Sequence, residues 1–228
     1  MSRLILNIET SEKNCSVALG ENGEVAAELH VASEGFVHGE QLHVLIAQLM
    51  EVSKVSFAQL SAIAVSEGPG SYTGLRIGVS AAKGLAYSCQ IPLIAIPTLQ
   101  AMNAGLREED KVKFDYLIPM IDARRMEVYA CVFDRENKLI AEVSPEELYE
   151  ESFNAFRGCI GVFGSGAKKS LAVLPDTFEL INEEMNFAQN MVVLSDEKYQ
   201  KSLFEDVAYF EPVYLKEFKT GVPKKLWN

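Results

Sequence analysis

Ser66-Glu67-Gly68-Pro69-Gly70-Ser71-Tyr72-Thr73-Gly74-Leu75-Arg76-Ile77-Gly78-Val79-Ser80-Ala81-Ala82-Lys83-Gly84-Leu85-Ala86 is the stretch on which the reading of this chain turns. It follows an apolar run at 62–65 that reads as a buried strand, and it opens a helix expected to reach about Ser88. Gly68-Pro69-Gly70 permits a tight turn with unusual backbone angles, and Ser71 or Thr73 supplies a helix cap. A strand, a glycine loop and a helix start together make what an anion needs, because free helix N–H groups face it. The rest of a phosphate loop is missing. No Lys-Ser/Thr follows at Walker spacing, and G-x-G-x-x-G is absent.

The helix carries the stronger signal. Gly74, Gly78, Ala81 and Leu85 form one stripe, with Leu75, Val79, Ala82 and Ala86 beside it. Arg76, Ser80, Lys83 and Tyr87 make the one polar line. A helix apolar around most of its girth is a buried helix. Glycine inside a helix costs about 1 kcal/mol relative to alanine, so Gly74, Gly78 and Gly84 ask for an offsetting gain in packing. Two explanations stand side by side: close packing within one domain, or a helix–helix interface between subunits.

Upstream, Leu4–Glu9 reads as a buried strand, 10–14 as a turn and 15–19 as a second strand. Gly20-Glu21-Asn22-Gly23 holds an Asn-Gly hairpin signal before a third strand, Glu24–Val31. Leu42, Leu45, Ile46, Leu49 and Met50 share one face of a helix over about 39–53. Downstream, 92–96 reads as a strand and 97–105 as a short helix. A second set follows: strands at 116–121, 127–133 and 138–143, with a turn at 134–137. Ser144-Pro145-Glu146-Glu147 is a helix start by its cap, proline and acids, for a helix to about Phe156. Ile160–Phe163 is a strand ending in Gly164-Ser165-Gly166; a helix, a strand at 178–181 and a helix at 187–204 complete the set.

The order strand, strand, strand, helix, strand, helix therefore occurs twice, which suggests an internal duplication. The fold class expected is α/β, with two lobes, each a mixed sheet flanked by helices. The boundary falls in the charged stretch between Gly105 and Phe114, giving lobes 1–106 and 107–228.

The chain has 228 residues, enough for one large domain or two small ones, and its 48% hydrophobic content is ordinary for a soluble protein. No apolar run is long enough to span a membrane, and Leu4-Ile5-Leu6 is too short for a signal-peptide core, so the cytoplasm is expected. Cys15, Cys89, Cys131 and Cys159 are far apart in sequence and read as reduced, mostly buried thiols. A formal net charge of −11 does not favour grip on a polyphosphate backbone. Lys216, Lys219, Lys224 and Lys225 are the local exception and read as a solvated tail.

The glycine segment resembles the signature of the TsaB (YeaZ) family. So do Leu6-Asn7-Ile8-Glu9-Thr10-Ser11, His38-Gly39-Glu40-Gln41-Leu42, Ile121-Asp122-Ala123-Arg124-Arg125-Met126-Glu127-Val128-Tyr129 and Pro212-Val213-Tyr214-Leu215-Lys216; about 144–205 matches only loosely. The resemblance implies duplicated actin-like (ribonuclease H-like) lobes of the actin, sugar-kinase and Hsp70 superfamily. It implies a non-catalytic scaffold in the transfer of a threonylcarbamoyl group to adenosine 37 of tRNA. The partners implied are a TsaD homologue as catalytic subunit, a TsaE homologue, and a second copy when alone, with tRNA met only through the assembled complex. It also turns the interface question toward subunit contact, through Thr73, Gly74, Leu75, Ile77, Gly78, Ala81, Ala82 and Leu85.

The rival expectation is a divergent actin-like ATPase or small-molecule kinase. Its phosphate loops would lie at Glu9, Thr10 and Ser11, and at Asp122 and Arg124, with Gly164 and Gly166 near adenosine. Each loop lacks the glycine that close approach to phosphate requires, and Glu9 stands where the family usually has aspartate, so these positions read as a degenerate nucleotide site and no cofactor is expected. His38 and His43, five apart, are about 140° apart on a helix and cannot share one metal ion.

Overall fold

The run Leu4-Ile5-Leu6-Asn7-Ile8-Glu9 becomes β1 (Leu4–Glu9), the middle strand of a five-stranded sheet, so both its faces are covered. The structure is a computed structural model describing residues 2–31, 38–182 and 187–216, without the side chain of His38. The lysines at 219, 224 and 225 lie outside it. β2 (Cys15–Glu21) and β3 (Glu24–Val31) pair antiparallel beyond β1. Asn22 (φ 53°) and Gly23 (φ 87°) make the left-handed turn between them that the Asn-Gly pair announces. After α1 (His38–Ser53), β4 (Ala62–Gly68) joins the other side of β1 in parallel. Then come α2 (Tyr72–Cys89) and β5 (Leu93–Pro97), parallel to β4.

α3 (Thr98–Ala104) and a one-turn α4 (Glu108–Lys111) lead to the second sheet. β6 (Tyr116–Asp122), β7 (Glu127–Asp134) and β8 (Leu139–Glu147) repeat the antiparallel triplet. β9 (Ile160–Phe163), the short α5 (Ala167–Ser170) and β10 (Phe178–Asn182) add the parallel pair. The strand orders are β3-β2-β1-β4-β5 and β8-β7-β6-β9-β10. β6 thus stands in the second sheet where β1 stands in the first. The chain is a duplicated α/β fold of two mixed sheets flanked by helices.

Two local expectations are corrected. Ser144-Pro145-Glu146-Glu147 continues β8 instead of opening a helix, with Tyr129 opposite Pro145, and 148–156 is a series of turns. β8 is an edge strand, where proline's missing N–H costs no ladder bond. Ser144 Oγ donates to Glu146 Oε1 (2.6 Å) instead of capping. The helix expected over 187–204 is a 3₁₀ turn, Ala188–Met191, followed by α6 (Val192–Gln200). Ser202, at φ 53°, sits in the left-handed conformation that ends helices.

Residues 187–216, counted with the second lobe in the sequence, pack on the first. Arg3 Nε donates to Asp196 Oδ1 (2.8 Å), Lys198 Nζ to Ala95 O (2.7 Å), and Glu205 N to Leu93 O (2.9 Å). Lys83 Nζ reaches Phe210 O (2.9 Å), and Val213 N donates to Glu67 O (2.8 Å).

One face of the first sheet buries Leu6, Ile8, Val17 and Leu19 under Leu42, Leu49, Val79 and Ala82 of α1 and α2. The other buries Ile5, Ala64, Ile94 and Ile96 under Ala101 of α3 and Met191. α3 also turns Leu99 and Met102 onto Leu117, Ile121, Phe133 and Phe163 of the second lobe, so its two sides belong to two cores. No helix among the described residues is long and apolar enough to cross a membrane.

Candidate functional site

The glycine loop meets the β1–β2 turn. Ser71 caps α2 as expected: its hydroxyl accepts from Gly74 N (3.2 Å). Its own N–H donates to Ser11 O (2.6 Å), and Thr10 Oγ1 donates to Gly74 O (2.8 Å). A β-carbon on Gly70 would strike Ser11, and one on Gly78 would strike the Thr10 hydroxyl. The close approach that the glycine stripe asks for is therefore made, at Gly78, by Thr10 of the same lobe. Gly74, Leu75, Gly78, Ala81 and Ala82 are buried within the chain, Ile77 and Leu85 are half-buried, and Thr73 is exposed.

The outward side of α2 is the line of Thr73, Arg76, Ser80, Gly84 and Tyr87, all exposed. A β-carbon on Gly84 would meet nothing within 4 Å. Arg76 lies over the Tyr72 ring (4.2 Å to the centroid), and Tyr72 packs on Tyr214 (4.7 Å between centroids). The α1 start adjoins this side, since a β-carbon on Gly39 would stand 3.8 Å from Ile77 Cδ1. Val44, Ala47 and Gln48 continue the exposed surface along α1.

Glu9, Thr10 and Ser11 are fully buried. Glu9 Oε1 accepts from Ser11 N (2.6 Å) and Ser66 Oγ (3.0 Å). Burial pushes the Glu9 carboxyl above its usual range; hydrogen bonds from Ser11, Ser66 and Thr10 oppose this without overcoming it.

The second loop is held by the lobe's own side chains. Asp122 Oδ1 accepts from Arg124 N (2.7 Å) and Lys169 Nζ (2.5 Å). Lys169 Nζ also reaches Arg125 O (2.8 Å) and Glu127 O (2.6 Å), which pins Arg124 (φ 68°) and Arg125 (φ 49°) in left-handed backbone. Ser165 Oγ accepts from Asp122 N (3.1 Å) and donates to Glu12 of the first lobe, so the two loops touch across the cleft. A β-carbon on Gly164 (φ 95°) would strike Met102 and Met120 O, and one on Gly166 would crowd Val128 and Ile121. These glycines let the chain pack on itself. Thr10, Ser11, Met102 and Val128 fill the space beside the glycines of these loops.

Among the described residues no three His, Cys, Asp or Glu side chains gather as a metal set. His30 meets the Phe187 ring edge-on (5.4 Å), and His43 is exposed. The sequence reading missed Glu12, Ser165, Lys169 and the strap at 205–216. Each acts through a partner more than forty positions away, beyond the reach of any local pattern. Lys216 ends the strap in an ion pair with Glu127 of the second lobe, beside the Tyr129 ring.

With this geometry in hand, known proteins place the chain. Residues 24–219 match the family described as TsaD: tRNA N6-adenosine threonylcarbamoyltransferase. The tRNA threonylcarbamoyladenosine biosynthesis protein TsaB of Escherichia coli (strain K12) is 29% identical over 225 residues, covering 93% of this chain and 94% of that one. Its namesake in Buchnera aphidicola subsp. Acyrthosiphon pisum is 30% identical over 203 residues, covering 87% and 86%. Among solved structures, YeaZ from Pseudomonas aeruginosa superposes with a TM-score of 0.79 at 23% identity, over 93% of this chain and 100% of that one. That last likeness speaks to the fold alone.

Proposed function

Because the chain belongs to the TsaB (YeaZ) family, we propose that it takes part in tRNA threonylcarbamoyladenosine biosynthesis as a non-catalytic scaffold that pairs with a TsaD homologue. The carrying observation is the outward side of α1 and α2. Thr73, Arg76, Ser80 and Gly84 are exposed on a helix whose inner stripes are fixed to the sheet. Gly84 has open space where a partner helix can approach without an intervening β-carbon. The filled loops at Thr10–Ser11 and Gly164–Gly166 support a subunit that lends a surface and not a nucleotide site.

On this reading the same face closes a homodimer when the partner is absent. A TsaE homologue joins the assembled pair. A net charge of −11 fits a chain that meets tRNA only through the complex, in the cytoplasm.

The test is co-purification with the TsaD homologue from the same source, followed by a reconstituted modification assay with this chain left out. The expected result is pairing, no modified tRNA without this chain, and none from this chain alone. Full modification in its absence would remove the scaffold role; modification by the chain alone would make it an enzyme.

A further inference from the structure

We propose that Glu9 is held in the folded chain as the neutral acid, its Oε2 hydroxyl donating to Asn7 Oδ1. Both side chains are fully buried. Glu9 Oε1 accepts from Ser11 N and Ser66 Oγ, and the carboxyl also interacts with the Ser11 hydroxyl and Thr10 N–H, whereas Oε2 and Asn7 Oδ1 have no hydrogen-bond partner among the described residues. Two buried acceptors without a donor each carry a desolvation penalty, and a single proton placed between them satisfies both.

The placement allows it. Asn7 and Glu9 are two residues apart on β1, and their side chains share the face that carries Ile5. The strand rise separates them by about 7 Å, within the combined reach of the two side chains. Asn7 Nδ2 donates to Ile5 O (3.1 Å), which commits the amide's donor end there and leaves Oδ1 as the acceptor in need of a proton.

Nothing nearby supplies a positive charge to hold an anion. On β2 the titratable neighbour is Cys15, a thiol pushed up to about 11, chiefly by burial. On β4 the facing residue is Ser66; the adjacent Glu67 interacts with Lys198 and Glu205 instead. The covering elements α3 and Ala188–Met191 contain no charged side chain; α6, which also packs on this face, carries Lys198, whose Nζ donates to Ala95 O, and Asp196, paired with Arg3, while Glu12 of the turn is engaged by Ser165. Burial independently favours the protonated form.

The proton reaches further than the core. Glu9 Oε1 fixes Ser11 N, and Ser11 O in turn receives the first N–H of the α2 cap. Glu9 therefore links the core to the turn on which α2 begins, and a change in its charge is felt there through Ser11 N–H.

The experiment is carbon-13 NMR of the full chain labelled at glutamate carboxyls, with a pH titration that also follows the Ser11 amide. One glutamate is expected to remain protonated at neutral pH, to titrate above the others together with Ser11 N–H, and to vanish from the spectrum of Glu9→Gln. Asn7→Ala is expected to shift that titration downward; an unchanged titration would overturn the part assigned to Asn7. Glu9 titrating in the ordinary glutamate range would overturn the whole. The wild-type titration decides even where Glu9→Gln fails to fold.

Discussion

Thr10 is seated in the hollow left by Gly78: its hydroxyl donates to Gly74 O one turn away, at 2.8 Å, and stands where a Gly78 β-carbon would be. The glycine stripe of α2 is thus first an internal joint between a turn and a helix. Gly78→Ala is expected to destabilise the isolated chain by about 1–3 kcal/mol through overpacking. Thr10→Ala alone loses a buried hydrogen bond, and the pair Thr10→Ala/Gly78→Ala should cost less than the sum. Urea unfolding of the four proteins measures the coupling; strict additivity would mean the two residues do not compete for space.

Gly84 should behave in the opposite sense. Its β-carbon direction is open, so a larger side chain fits the monomer and removes the glycine penalty of about 1 kcal/mol. Gly84→Leu is expected to leave the lone chain as stable as the wild type or more so, while weakening pairing with the TsaD homologue roughly tenfold or more. Size-exclusion chromatography and calorimetry of the pair provide the readout. Unchanged affinity would move the docking surface away from this line of α2.

Asp196 ties α6 to the start of the chain. The Arg3 guanidinium, followed by Gln200, holds its carboxyl below the ordinary aspartate range. A carboxylate with a depressed folded pKa contributes stability above its unfolded value, and that contribution fades as pH falls through the folded value. Asp196→Asn is therefore expected to be less stable than wild type at neutral pH, the gap closing in acid below the usual aspartate range. Melting curves across pH test this; a constant gap would assign the loss to packing.

Lys83 pins the strap by donating to Phe210 O and Ala208 O (2.9 and 3.2 Å). Lys83→Met keeps the stem and deletes those bonds. Faster amide exchange is expected at Phe210 and Val213, with the central strands β1 and β4 unchanged. Equal protection in the variant would show that Val213 N on Glu67 O suffices.

The thiols give an internal check on the burial of both lobes. Cys15 and Cys131 are buried, and burial raises both above the usual thiol range. A thiol reagent at mildly alkaline pH should modify these two only on unfolding, and Cys89 and Cys159, which are half-buried, sooner.

The strands, the Asn-Gly hairpin and the duplicated order were legible because they are written in short-range pattern: apolar runs, alternation and turn residues. The α2 stripes identified Leu75, Val79 and Ala82 as core by the same logic. What faces Gly78 was not legible, because Thr10 is far off in sequence and comes near only when β1 and β4 pair. Ser144-Pro145-Glu146-Glu147 misled because a good cap signal is local, while pairing with β7 is decided by the sheet. The return of 187–216 to the first lobe also lay outside reach. α6 carries few apolar residues to declare a partner, and polar and backbone contacts such as Arg3 with Asp196 and Lys198 with Ala95 O anchor it.

That return gives the molecule an order of assembly. While β1 to β5 are already made, Ile5, Ala64, Ile94 and Ile96 stay only partly covered, by Ala101 of α3, until Met191 arrives, and the β5 edge stays open until Glu205 bridges Leu93. The lobe that carries α2 is begun first and finished last, so it cannot mature ahead of its successor on the ribosome, as separable domains do.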